Sequence, residues 1–275
     1  MPTHEKSPTK QQRFALGIEY DGLAYSGWQK QKSPQQETVQ QYVETALSKI
    51  ADRAIVVSCA GRTDAGVHAT CQVVHFESEI DRGDKAWTEG TNSLLPKSIR
   101  VLWSRKVGED FHARFSALSR RYMYLIYRRD TESAMLNGRV TYVRRELDDQ
   151  AMHAAAQSLL GEQDFTSFRA AGCQSKTAMR NVMHAKIYRQ GGILIFDIKA
   201  NAFLQHMVRN IVGSLLEVGR GAQDPSWISH LLSSKDRTLA APTAPPDGLY
   251  LVGVAYPESA QLPTELALPG LLLAV

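Results

Sequence analysis

Residues 61–69 read GRTDAGVHA, a run that sets one acid, Asp64, between two glycines with Arg62 two positions before it. Gly61 and Gly66 permit tight backbone geometry around the carboxylate, and the small Ala65 and Ala69 leave room for something large to approach. The segment therefore supplies a negative group for chemistry and a guanidinium able to engage phosphate. An Asp beside a glycine also serves simply to cap a turn, and position alone leaves both roles open. Basic residues are dense further on: Arg105, Lys106, Arg114, Arg120, Arg121, Arg128, Arg129, Arg139, Arg144 and Arg145. Such a run is commonly a solvated face. Here it is interleaved with Phe111, His112, Phe115 and Tyr122, the mixture of cations and aromatics that RNA surfaces use. The formal net charge of +4 agrees with an acidic partner without requiring one.

No metal site is expected. Cys59, His68, Cys71 and His75 cluster in sequence but lack zinc-ligand spacing, and residues alternating along a strand point to opposite faces. The three cysteines, with Cys173, are too few and too scattered for a disulfide framework, so a reducing, cytoplasmic setting is the simpler reading. Residues 1–12 lack the apolar core of a signal peptide and read as a polar, disordered tail. The apolar end, LALPGLLLAV, falls short of the ~20 residues that cross a bilayer, so no membrane is expected; it reads as an extension that packs on the body or frays.

The elements that must hold these groups follow from periodicity. Phe14, Leu16, Ile18 and Tyr20 alternate as a strand, and Val39, Tyr42, Val43, Ala46, Leu47 and Ile50 recur at helical spacing. Residues 54–59 and 71–76 read as strands around the Asp64 loop, 84–94 as a helix and 99–107 as a strand. The order βαββαβ then starts again: a strand at 122–127, a helix at 148–160, two strands meeting at Gly191-Gly192, an amphipathic helix at 203–218 and a closing strand at 249–256. The expectation is an α+β protein of two ferredoxin-like halves, 13–115 and 116–257, with an extension at 258–275. Their mainly antiparallel sheet would carry helices on one face and leave the other open to a ligand.

The nine-residue run closely resembles the signature of the TruA family of tRNA pseudouridine synthases. YDGLAYSGWQKQ, FHARFSA, RRYMYLIY, FTSFRAAGCQSK, NAFLQHMVRNIVGSLLEVG and APPDGLYL are similar to that family too, in its order, and only the two tails fall outside. One departure is Ala178, where the family often has proline. The resemblance implies the pseudouridine synthase fold, an isomerase needing no cofactor, and a homodimer that modifies uridines 38, 39 and 40 in the anticodon arm of tRNA. It implies that Asp64 is the catalytic carboxylate, that Arg62 helps hold a flipped-out nucleotide, that Tyr122 stacks on the target base and that Arg209 pairs with Asp64. It further implies tRNA contacts at Phe111, His112, Arg114 and Phe115 and at Cys173, Gln174 and Ser175.

Residue type alone leaves other roles for these positions: Tyr122 as a sheet-face residue, Arg209 as a solvated helix residue, and His206 as either a core histidine or an RNA contact. Two further functions compete with the isomerase. A non-catalytic RNA-binding module gains nothing from a carboxylate among phosphates, where like charges repel. A hydrolase of small glycosides would need a second acid in a comparable loop, and Asp21, in YDG, reads as a turn residue. For pseudouridine formation the carboxylate could attack C1′, add to C6 or take a proton from C2′, and the sequence does not choose.

Overall fold

The computed structural model describes residues 11–31, 36–263 and 265–273. Most of the expected tail thus lies outside the described residues, although Gln12 already belongs to the first strand. The strands are β1 (Gln12–Tyr20), β2 (Ser58–Cys59), β3 (His68–Ser78), β4 (Ile99–Val107), β5 (Ser119–Arg128), β6 (Thr141–Val143), β7 (Gly161–Asp164), β8 (Met179–Gln190), β9 (Ile193–Ala200) and β10 (Leu249–Ala255). The helices are α1 (Val39–Ala51), α2 (Thr91–Leu94, continuing a π-turn at Ala86–Gly90), α3 (Asp149–Gln157), α4 (Met207–Gly219) and α5 (Trp227–Ser234).

All ten strands join one sheet in the order β4-β1-β3-β10-β5-β9-β8-β7, with β2 on β3 and β6 on β5. The expected α+β class and its two βαββαβ halves are present: β4-β1-β3-β2 and β10-β5-β9-β8 have the same internal order. They meet where β3 runs parallel to β10, with Tyr250 opposite His68 and Leu251 opposite Ala69. That seam places the start of β3, where residues 61–69 end, in the middle of the sheet.

Several boundaries differ from expectation, each for a local reason. Of residues 54–59 only Ser58–Cys59 pairs as a strand, because the Ile55 N–H donates to Ser48 Oγ (2.8 Å) and the Val57 N–H to Glu44 Oε1 (3.2 Å). Helix α3 opens on its cap, with the Ala151 N–H donating to Asp148 Oδ1 at 2.9 Å. It stops at Gln157 because Gln163 Nε2 donates to the Ser158 and Leu160 carbonyls (both 2.8 Å) and closes that end. Helix α4 begins at Met207 and not at 203, because His206 takes φ 61, which a right-handed helix cannot continue. Strands β6 and β7 and helix α5 have no counterpart in the sequence reading. The hairpin between β8 and β9 turns at Gly191, whose φ of 56 is the left-handed geometry expected there.

The sheet buries both faces. Tyr122, Tyr124 and Ile126 point into the main core with the apolar faces of α1, α3 and α4, while Met123 and Leu125 enter a second cluster with Ile193, Ile195, Tyr250 and Val252. Leu272 closes that second cluster and Gln190 Nε2 donates to its carbonyl (2.8 Å), so the described part of the C-terminal extension packs on the body. The expectation of an open, helix-free face is therefore corrected at the centre of the sheet. The free surface is instead a cleft on the helix-bearing side.

Candidate active site

The cleft measures about 1520 Å³ and runs between the loop that carries Asp64, the turn after β4, the segment before β8 and the start of α4. The Asp64 loop is held along its length. Gln72, fully buried on β3, grips Gly61 through both amide atoms: its Nε2 donates to the Gly61 carbonyl (2.5 Å) and its Oε1 accepts the Gly61 N–H (3.3 Å). Thr63 is fixed by Tyr20, hydroxyl to hydroxyl at 2.8 Å, and by the Trp28 N–H donating to its carbonyl (3.0 Å). The Val67 N–H closes the turn on the Asp64 carbonyl at 3.2 Å, and Gly66 takes φ 78 against the Pro246 ring. Of the two glycines flanking Asp64, only Gly66 adopts a positive φ. With Thr63 buried beneath, Arg62 and Asp64 turn outward.

Asp64 meets the start of α4, where unsatisfied N–H groups favour negative charge. Arg209 Nη1 donates to Asp64 Oδ2 at 3.0 Å, and His206 Nε2 lies 3.4 Å from the same oxygen. Both partners take Oδ2, and Oδ1 makes no hydrogen bond among the described residues. Arg209 is itself aimed by the Ala244 carbonyl, which accepts from its Nε (2.8 Å). His206 holds its position in a left-handed conformation that is uncommon outside glycine, a strain found where surrounding structure over-determines a geometry.

Tyr122 faces this cleft from β5. Its ring packs edge-on against Phe203 at 5.0 Å, and burial, opposed by Arg120 and reinforced by the charge of Asp64, pushes its hydroxyl well above the usual tyrosine range. Two residues back on the same strand face, Arg120 is 8% exposed and has no acidic partner among the described residues. Its guanidinium is saturated by carbonyls of Ala60, Arg114, Ala117 and Asn201. One nitrogen, Nη2, serves Ala60 (2.9 Å) and Arg114 (2.5 Å) together, tying the Asp64 loop to the turn after β4.

That turn brings His112, Arg114 and Phe115 to the cleft. His112 Nδ1 accepts the N–H groups of Arg114 (3.1 Å) and Phe115 (3.3 Å), a role that needs an unprotonated ring, and partial burial followed by Arg13 lowers its pKa accordingly. Phe111 is the exception among the expected RNA contacts. It is 5% exposed, packs on Tyr256 (5.1 Å) and His75 (6.1 Å) and does not line the cleft, whereas Tyr122, itself only 7% exposed, does.

On another wall stand Cys173, Gln174 and Ser175. Partial burial works against the thiolate of Cys173, yet its thiol is lowered on balance by the N–H groups of Gln205 and Ser175 and by Arg169. Arg169 Nη2 donates to the Cys173 and Ser175 carbonyls (2.9 and 2.7 Å) and Arg180 Nη2 to Ser175 Oγ (2.7 Å), and neither guanidinium pairs with an acid among the described residues. The three cysteines are free thiols.

Among the described residues the lining contains five arginines, Arg62, Arg114, Arg120, Arg180 and Arg209, and one acid, Asp64. Such a surface attracts a polyanion and presents it to a single carboxylate. The sequence leaves His206 open between a core histidine and an RNA contact and counts Arg120 within the basic run, while nothing in it points to Arg180 or Gln72. The signal for His206 was its i, i+3 spacing to Arg209; the carbonyl shell of Arg120 leaves no trace in sequence.

The family model described as tRNA pseudouridine synthase matches residues 17–116 and 155–257. Among similar proteins, the tRNA pseudouridine synthase A of Hydrogenovibrio crunogenus is 57% identical over 250 residues, covering 91% of this chain and 95% of that protein. That of Enterobacter sp. strain 638 is 58% identical over 251 residues (91% and 92%), and that of Shewanella sp. strain MR-4 is 57% identical over 261 residues (95% and 99%). A distant likeness links the chain to the crystal structure of the archaeal box H/ACA sRNP Nop10-Cbf5 complex, at 12% identity and TM-score 0.34 over 74% of this chain and 44% of that one. The chain belongs to the tRNA pseudouridine synthase family.

Proposed function

We propose that this protein isomerises uridine to pseudouridine in the anticodon arm of tRNA, at the neighbouring positions 38, 39 and 40, with Asp64 as the catalytic carboxylate. The observation that carries this reading is the lone acid, among the described residues, of an arginine-lined cleft, held through one oxygen by Arg209 and His206. The reaction breaks the N1–C1′ bond, turns the uracil and joins C5 to C1′; C5 loses a proton and N1 gains one, so no atom or electron is left over. No cofactor is called for.

The uracil must first leave its stack, which costs a few kcal/mol and less in a loop or at a stem end. Arg62, exposed in the cleft, holds the displaced nucleotide by its phosphate, and the Tyr122 ring receives the base. Arg209 anchors Asp64 through Oδ2 and leaves Oδ1 toward the nucleoside, for attack on C1′, addition to C6 or removal of the C2′ proton. His112, Arg114, Phe115, Cys173, Gln174 and Ser175 contact the RNA along the cleft walls. Two copies of the chain act together in the cytoplasm; no described helix is long and apolar enough to cross a membrane.

The test is to map pseudouridine in tRNA from cells lacking this protein and in the same tRNA after incubation with it. Loss at positions 38–40 and its restoration in vitro are expected; unchanged modification there would remove the assignment.

His206 carries a separate expectation as a positioning residue. Truncation to alanine should lower kcat by about 10- to 100-fold, the scale of a small misplacement of a reacting group, with KM for tRNA nearly unchanged. His206→Gln, whose Nε2 reaches about as far as the ring Nε2 and keeps a donor there, should recover part of the rate. Steady-state kinetics of both variants check this, and an alanine variant with normal kcat would end the role.

A further inference from the structure

Phe115 is 77% exposed, an unusual state for a phenylalanine, and it lies in the arginine-lined cleft. The turn that carries it is rigid. Its own N–H and that of Arg114 donate to His112 Nδ1, the His112 N–H donates to Ser116 Oγ (2.9 Å), and the Ser116 N–H returns to the His112 carbonyl (2.9 Å). Beneath, the Ala113 N–H donates to His75 Nδ1 (3.1 Å) and the Tyr256 hydroxyl donates to the Ala113 carbonyl (2.6 Å). The ring is backed by His112, centroids 4.4 Å apart at 34°, and the Arg114 guanidinium stands 5.7 Å from its centre. Even with these two neighbours, 77% of the residue stays open to a ligand.

An exposed apolar ring gains nothing from a phosphate, whereas every nucleobase has a π-face that can stack on it. Its neighbour Arg114 supplies the phosphate contact. Because one nitrogen of Arg120 binds the carbonyls of both Ala60 and Arg114, the turn is locked beside the loop that carries Asp64. A base held on Phe115 therefore belongs close to the nucleotide held at Asp64. Resting on the function proposed above, we propose that Phe115 is a second aromatic platform, which stacks the unpaired base of a nucleotide next to the target uridine and so steadies the opened RNA.

The experiment uses the full-length protein and a tRNA transcript carrying the fluorescent base 2-aminopurine beside the target uridine. Phe115→Leu keeps the apolar bulk and removes the π-face; Phe115→Trp keeps the face. The wild-type and tryptophan proteins should change the 2-aminopurine emission on binding. The leucine variant should lose that change and bind about tenfold more weakly, the scale of one stacked base, with an unaltered melting temperature because the side chain is exposed. Leucine and wild-type proteins with the same affinity and emission would overturn the platform. So would a tryptophan variant that behaves like leucine. The binding arm needs no turnover, so it reads the platform separately from the assignment of Asp64, which stands or falls on whether the wild-type protein makes pseudouridine through that carboxylate.

Discussion

Asp64→Asn is expected to lower pseudouridine formation on the order of 10⁴-fold, the range seen when a reacting acid–base or nucleophilic group is removed, while tRNA binding holds or tightens. The amide keeps the shape of the carboxylate and can still meet Arg209, so the loop, fixed independently by Gln72, Tyr20 and Trp28, should not move. It cannot act as nucleophile or base. Binding should not suffer, because the substitution removes a negative charge from a lining that, among the described residues, holds five arginines and no other acid. The check is single-turnover product formation beside equilibrium binding at fixed salt. A variant within tenfold of the wild-type rate, or one that no longer binds tRNA, would sink the assignment of Asp64 to the chemistry.

The elements were legible where one periodicity ruled a whole segment. Strand β4 was expected at 99–107 and spans Ile99–Val107, and α1 was expected from Val39 and begins there. Reading failed where a tertiary partner overrode the pattern. The apolar residues from 203 suggest a longer α4, but Phe203 is drawn to Tyr122 and His206 turns left-handed to reach Asp64. Strand β7, GEQD, has no β-branched residue and exists because β8 pairs with it.

For the site, the contact between Asp64 and Arg209 spans 145 residues and no local spacing foretells it; the family resemblance did. Arg120 was hidden for the opposite reason. In a run of arginines it reads as one more solvated cation, yet it is buried and joins loops from both halves of the chain. Phe111 and Phe115 show how little residue type decides: four positions apart in one motif, one is a core ring and the other is 77% exposed.

The second large effect is expected at Tyr122, where ring and hydroxyl can be separated. The ring is packed against Phe203, and the hydroxyl makes no hydrogen bond among the described residues. Burial, and the charge of Asp64 behind it, keep that hydroxyl protonated, so it can donate to a base or to the ribose but is not a phenolate. Tyr122→Leu, which fills much of the volume without a π-face, should lower kcat/KM by about 100-fold, toward the upper end of what one stacked base contributes. Tyr122→Phe should keep KM and lose only the donor, a fall in kcat of about tenfold. Melting temperatures of both variants separate these effects from damage to the core, which alanine would cause through the cavity it leaves. The pH profile gives an independent reading. With its pKa raised by burial, Tyr122 should cause no loss of rate as pH passes through about 10, where an ordinary tyrosine titrates. A decline there that Tyr122→Phe abolishes would show that the hydroxyl ionises in the working enzyme and that the ring is not held as the fold implies.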